Sequence, residues 1–408
     1  MPKKKKKNKS SLINKIKKNK MKFSLLEVII IVLISLSLGT LIGSSFIYTK
    51  EKIVYNNIPE ELDEFVATYE KIKAGYYKKI DSSDLIESAI EGMVNSLDDP
   101  YTNYMDEDTT EVFNQTVDGE YVGIGATVEI TEEEIKIISI IDNSPAKKAG
   151  LKVDDIITKI NGKEVKGKSN DEISKLLKGK KNTKVKITIK RKEKEKTYTL
   201  TRSDVDIPSI SSKVIKANDK KIGYIHIDVF AANTYSQFKK NLEKLENKKI
   251  DSLIIDVRNN SGGHLDQVTK ILEMFMDKKH VLYQIQKGKN KKKVYSSTKE
   301  KRNYKVVVLV NKGSASASEI LTAAMKESYN AEIIGESTYG KGTVQNSYSL
   351  KNGTSLKYTT EKWLTPKGNW INEKGVKPTI EESLTEEYYN NPTEENDNQL
   401  QKAIEILK

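Results

Sequence analysis

A chain of 408 residues is long enough for two or three domains, each burying its own core. The formal charge of +13 suggests a nucleic-acid or membrane-surface partner, but eleven lysines and no acid fall within residues 1–22, so the basicity belongs to a tail and the case for a nucleic-acid-binding face weakens. The absence of cysteine excludes thiol catalysis, thiolate zinc sites, disulfides and a lipid-modified cysteine, and three histidines (His226, His264 and His280) argue against a metal centre.

Residues 23–48 (FSLLEVIIIVLISLSLGTLIGSSFIY) are apolar apart from Glu27 and a few hydroxyls. Such a segment crosses a hydrocarbon layer of about 30 Å as one helix. The lysine cluster on its amino side (1–22, the tail) predicts a cytoplasmic amino end and an extracytoplasmic remainder. A cleaved signal peptide has a shorter apolar region and an Ala-x-Ala-like site; Gly43-Ser44-Ser45 matches this poorly, which favours an uncleaved signal anchor in the cell membrane.

Residues 49–117 read as a helical region. Leu62, Phe65, Tyr69 and Ile72 recur at helical spacing, as do Leu85, Ala89, Ile90 and Met93, with Asp81-Ser82-Ser83 as a cap. From Asp118 to Asp204 the pattern shifts to short strands: Tyr121 to Val128, Ile135 to Ile141, and Asp154 to an Asn161-Gly162 turn. A short helix from Ser144-Pro145-Ala146 to a stop at Gly150-Leu151, an amphipathic helix over 169–178 and a closing strand pair complete this stretch. From 205 to 380 apolar strands alternate with helices, which indicates an α/β layer architecture. Lysine-rich 287–302 reads as an exposed loop or hairpin. The segment 381–408 is polar, then helical over 398–407, and reads as an arm that docks on a partner subunit.

Three segments carry candidate chemistry. Asn311-Lys312-Gly313-Ser314-Ala315-Ser316-Ala317-Ser318-Glu319 joins an apolar strand to a helix. Small residues there can expose a hydroxyl near the positive end of a helix; serines in such a place also serve as ordinary caps, with Ser316 and Glu319 at capping-box spacing. Gly335 to Lys341 nearly matches a P-loop. Gly342 stands where a magnesium-binding hydroxyl belongs, however, and a strand follows instead of a helix, so nucleotide binding is rejected. What remains is Lys341 between two glycines, either a surface lysine or a base. The third segment, Asp256-Val257-Arg258-Asn259-Asn260-Ser261-Gly262-Gly263, ends an apolar strand in a loop whose N–H groups can line a site. His264 beside it, with Asp256, is a rival base for Ser316.

Taken in order, these segments resemble the carboxyl-terminal processing peptidases, also called tail-specific proteases. The likeness extends to Asp99-Pro100-Tyr101-Thr102 and to Thr365-Pro366-Lys367-Gly368, and covers about residues 60–380. The 118–204 stretch resembles a PDZ domain, whose groove takes an extended peptide as an added strand and holds its terminal carboxylate on backbone N–H groups. Here Val122, Gly123, Ile124 and Gly125 would form that cradle. The resemblance implies a crotonase-like α/β core with the PDZ domain inserted. It implies Ser316 as nucleophile, Lys341 as general base, Gln345 orienting the lysine, and oxyanion donors from Ala317 and the Gly262-Gly263 pair. No cofactor or metal is implied. The expected substrates are proteins or peptides with accessible C-termini, and the helical ends are candidates for homodimerisation. Against this enzyme stands a non-catalytic, membrane-tethered PDZ scaffold on the same fold; the presence of Ser316 and Lys341 speaks for the enzyme.

Overall fold

The computed structural model describes residues 59–299 and 301–408. The basic tail and the 23–48 segment lie outside the described residues; among the described residues no helix is long and apolar enough to cross a membrane. The chain divides into two units, residues 1–89 and 90–408. The first contains helix Glu61–Gly75 and the start of helix Ser82–Asn95, whose first turn is fixed by the Asp81 carboxylate accepting from the Ser83 N–H (2.8 Å). The helical spacing of Leu62, Phe65 and Ile72 does produce a helix, but all three side chains stay exposed.

In the second unit, residues 126–201 form an antiparallel sheet. Its strands run in the order Ala126–Ile130, Ile135–Ile140, Ile156–Ile160, Lys184–Arg191, Lys194–Thr201. Alternation sets the faces: Val185, Ile187 and Ile189 are fully buried while their neighbours face outward. Helix Asn170–Leu177 closes over this face. Ser169 and Glu172 form a reciprocal capping box at its start, and Ile173 and Leu177 point inward. The chain enters along Glu120–Gly123 and leaves along Ser203–Asp206, and these two strands pair antiparallel, Glu120 opposite Asp206.

The remainder is built on a six-stranded sheet. Its order is Ile210–Ala217, Lys220–Ile227, Ser252–Asp256, Lys305–Val310, Glu332–Gly335, Ile380–Glu381, with only the first pair antiparallel. Near-continuous apolar strands suit a sheet covered on both faces. Helices Thr234–Asn247, Leu265–Glu273 and Ala317–Ala324 pack on one face through residues such as Phe238, Ile271 and Leu321. Helix Asn398–Leu407 covers the other, placing Leu400, Ala403 and Leu407 against Ile254, Val307, Leu309 and Ile334. The sequence reading docks this arm on a partner subunit; it is spent on its own sheet instead. Its amino end is anchored by a buried charge cluster: the Arg258 guanidinium donates to Asp256 (2.6 Å) and Asp397 (2.8 Å), and Asp397 also caps the helix through the Leu400 N–H (2.9 Å).

A second antiparallel sheet combines Asn103–Met105, Ser355–Leu364, Val281–Lys287 and Asn290–Tyr295, with Thr343–Ser349 also paired to Ser355–Leu364. The first part of the lysine-rich 287–302 stretch supplies the turn and second strand of the hairpin Val281–Lys287/Asn290–Tyr295.

Candidate active site

The three motif segments leave the carboxyl ends of three adjacent parallel strands: Ser252–Asp256, Lys305–Val310 and Glu332–Gly335. In open α/β sheets that is where loops converge into a site. Asn260 locks the first loop to the second: its backbone C=O accepts from Ala315 N–H (3.0 Å) and Ser318 Oγ (2.9 Å), while its amide donates to Ile227 C=O (2.8 Å). Ser314 Oγ adds a bond to Val257 C=O (2.8 Å).

Ser316 stands at the start of helix Ala317–Ala324 with φ 55° and ψ −113°. This is a conformation a non-glycine residue holds only under strain, about 1–3 kcal/mol, when its surroundings over-determine it. Part of that constraint is Gly262, with φ 107°; a Cβ there would lie 2.8 Å from both Ser316 Cβ and Ala315 C=O. The Gly262 N–H is taken by Asn260 Oδ1 (2.8 Å), whereas Gly263 is exposed.

The third segment is joined to the second by Glu319, which the sequence offers only as a helix cap. Its fully buried carboxylate accepts four hydrogen bonds. One oxygen takes Ser316 N–H and Lys341 N–H (both 2.8 Å); the other takes Thr338 Oγ1 and Gly340 N–H (both 2.6 Å). Burial pushes the Glu319 carboxyl up from its ordinary value, and these donors pull it back. The Tyr339 N–H adds a bond to Ser314 C=O (3.0 Å). As the sequence indicates, a strand, Thr343–Ser349, follows Lys341 instead of a nucleotide-binding helix.

Burial brings the Lys341 ammonium down to about 8; the positive charge of Lys357 helps, while Asp99 and Glu319 oppose. An amine so placed is neutral in a useful fraction near neutral pH and can accept a proton. Its Nζ lies 4.7 Å from the centre of the Tyr101 ring. Gln345, on the same segment as Lys341, donates its amide to Thr343 Oγ1 (2.9 Å) and Thr359 Oγ1 (3.0 Å).

The rival arrangement Ser316–His264–Asp256 is not assembled. Asp256 is taken by Arg258, by the Tyr224 hydroxyl (2.8 Å) and by His226 Nδ1 at 3.8 Å. His264 instead faces Asp266 at 4.0 Å. Hydrogen bonding to Asp228 and then Asp256 raises His226 to about 9, a charged partner in a structural cluster.

At the peptide-binding segment, Val122 and Gly123 pair with Asp204 and Ser203, so their backbone belongs to the entry strand. Ile124 is buried, and its C=O accepts from Ala146 N–H (2.8 Å). Of the two glycines in this segment, only Gly125 takes a positive φ, at 74°. A Cβ there would sit 2.2 Å from that of Ser144. The Tyr121 ring lies under the Lys178 ammonium at 5.5 Å.

A peptidase family S41 model matches residues 221–382, a PDZ domain model residues 122–201, and an "activating protease CtpB N-terminal domain" model residues 43–109. The chain is 40% identical to the carboxy-terminal processing protease CtpB of Bacillus subtilis (strain 168), over 78% of this chain and 67% of the relative. It is 40% identical to CtpA of the same organism, over 79% and 69%. Among solved structures, the photosystem II D1 C-terminal processing protease matches with 24% identity and a TM-score of 0.47, over 86% of this chain and 98% of that one. The chain therefore belongs to peptidase family S41, the carboxy-terminal processing serine proteases, and carries a PDZ domain.

Proposed function

We propose that the chain is a membrane-anchored serine endopeptidase that cuts with a Ser316–Lys341 pair and takes unstructured or C-terminal protein segments on its PDZ domain. The observation that supports this best is Glu319: one carboxylate oxygen accepts from both Ser316 N–H and Lys341 N–H, joining the two motif segments beside an amine held near about 8. In this reading the neutral Lys341 amine takes the Ser316 hydroxyl proton as Oγ attacks the scissile carbonyl. The oxyanion is received by the N–H groups of Ala317, at the helix start, and of Gly263, since that of Gly262 is already engaged. Lys341 then gives its proton to the leaving amine, and the same group activates the water that hydrolyses the acyl-enzyme. Gln345, with its N–H₂ spent on two hydroxyls, offers its carbonyl oxygen to orient the ammonium.

The proposed assignment of the chain is a tail (1–22), anchor (23–48), helical region (49–117), PDZ domain (118–204), crotonase-like core (205–380) and carboxyl-terminal arm (381–408). The anchor places the amino end in the cytoplasm and the peptidase on the extracytoplasmic face. Homodimerisation is proposed through the amino-terminal helix, whose Leu62, Phe65 and Ile72 are exposed.

The test is cleavage of a disordered protein by the full chain, comparing wild type with Ser316→Ala, Lys341→Ala and His264→Ala. Loss in the first two, with His264→Ala active, is expected. Turnover that survives Lys341→Ala, or that requires His264, refutes the pair.

A further inference from the structure

The Asp99–Thr102 turn has no part in the mechanism above, yet it is firmly held. The Asp99 carboxylate accepts from Thr102 Oγ1 (2.6 Å) and the Tyr101 N–H (3.1 Å). Thr102 is buried, and its Oγ1 accepts the Thr359 N–H (3.0 Å). The residues that follow join the second sheet, Asn103 opposite Lys357. So fixed, the turn aims Tyr101 at the proposed base. Lys341 Nζ lies 4.7 Å from the ring centre, inside the reach of about 6 Å over which a ring face attracts a cation. The Tyr101 hydroxyl is neighboured by that of Tyr339, whose own N–H donates to Ser314 C=O (3.0 Å) in the loop of the nucleophile. The ring thus lies against Lys341 and beside a residue held to the loop of Ser316.

We propose that Tyr101 is a positioning residue of the peptidase base: its ring face covers the Lys341 amine, fixes the place of Nζ and limits the water that reaches it. This rests on the Ser316–Lys341 reading. The ring exerts two opposite effects. Its quadrupole favours the ammonium, and its bulk, by excluding water, favours the neutral amine. The other groups that act on the amine are the carboxylates of Asp99 and Glu319, which favour the ammonium, and Lys357, which disfavours it. Lys357 is itself held with its ammonium 5.4 Å from the Phe113 ring. Tyr101 does not titrate alongside them, because burial and then the neighbouring Tyr339 hydroxyl push it up to about 12.

Because the two effects have opposite sign, substitutions separate them. The measurement is the pH profile of kcat/KM and kcat for the full chain with Tyr101→Phe, Tyr101→Leu and Tyr101→Ala. Phenylalanine keeps the ring, so its acid limb stays with that of wild type even where the rate falls with the lost hydroxyl. Leucine keeps the cover without the quadrupole, and its limb moves down by about 0.5–1 pH unit. Alanine lets water in, which lifts its limb about one unit above that of leucine, with kcat lowered about ten-fold and KM nearly unchanged. Coincident limbs for leucine and alanine, or limbs that move in none of the three, overturn the proposal. Should the alanine variant fail to fold, the leucine–phenylalanine comparison decides. Lys341→Ala in the same assay keeps the two readings apart. Turnover that survives it refutes the pair, whereas loss of turnover beside an unmoved Tyr101 series refutes only the role of Tyr101.

Discussion

Replacing Glu319 by glutamine changes one charge and almost no volume, so it isolates the carboxylate that joins the segments carrying Ser316 and Lys341. Four donors converge on its two oxygens, all between 2.6 and 2.8 Å. A glutamine offers one carbonyl oxygen to two of them and turns an N–H₂ toward the other two. If the oxygen stays with Ser316 and Lys341, the Thr338 hydroxyl can rotate to accept, but the Gly340 N–H is left against a donor. If it turns the other way, the Ser316 and Lys341 N–H groups both lose their acceptor. Hydrogen bonds to a buried charge contribute about 1.5–3 kcal/mol each, so losing one or two costs about 1.5–6 kcal/mol. A shift of the loops by about 1 Å lowers kcat about 100-fold. Urea denaturation followed by tryptophan fluorescence reads the first quantity: Trp363 is buried and donates to the Lys341 C=O (2.7 Å). Cleavage of a disordered protein at saturating concentration reads the second. A Glu319→Gln protein with the wild-type midpoint and kcat would show that the carboxylate is a bystander.

Two further predictions concern stability. Asp397→Ala leaves the buried Arg258 guanidinium without one of its two carboxylates and the carboxyl-terminal helix without its cap; denaturant unfolding is expected to show a loss of about 3–5 kcal/mol, and a loss under 1 kcal/mol would place the cluster outside the stability of the core. Lys341→Met removes a buried amine whose ordinary value of 10.5 is lowered to about 8 by burial. Below about 8 the folded wild type bears the cost of a buried charge, and above about 10.5 both states are neutral. The variant is therefore the more stable near pH 7, by up to about 3 kcal/mol, and its advantage shrinks as pH rises through that window; a constant advantage would refute the linkage.

The sheet that carries the site was legible because Ser252–Asp256 and Lys305–Val310 are unbroken apolar runs between amphipathic helices. The PDZ domain was legible because Lys184–Arg191 alternates and Ser169 caps its helix. Convergence of the three loops was not, since it depends on which strands are neighbours, a property of crossovers and not of any one segment. Ser355–Leu364 escaped notice because its SLKYTTEKWL pattern is largely polar and only half-buried, yet it organises the sheet beside the base. Glu319 was hidden for a different reason. Three residues after a serine, at the start of a helix, a glutamate looks like half a capping box, and one half is indeed made through the Ser316 N–H. Its other three donors come from a loop some twenty residues later, which no local spacing reveals. The periodic helix Glu61–Gly75 teaches the converse, for its apolar stripe marks a helix without marking a covered face.

The pairing of Glu120–Gly123 with Ser203–Asp206 brings the two ends of the PDZ domain into one short ladder. A domain whose two ends leave through one ladder can lengthen its distant loops without disturbing the register of the parallel sheet. The PDZ domain and the peptidase sheet can thus diverge at different rates. Relatives that keep the peptidase sheet are free to exchange the PDZ domain as one cassette.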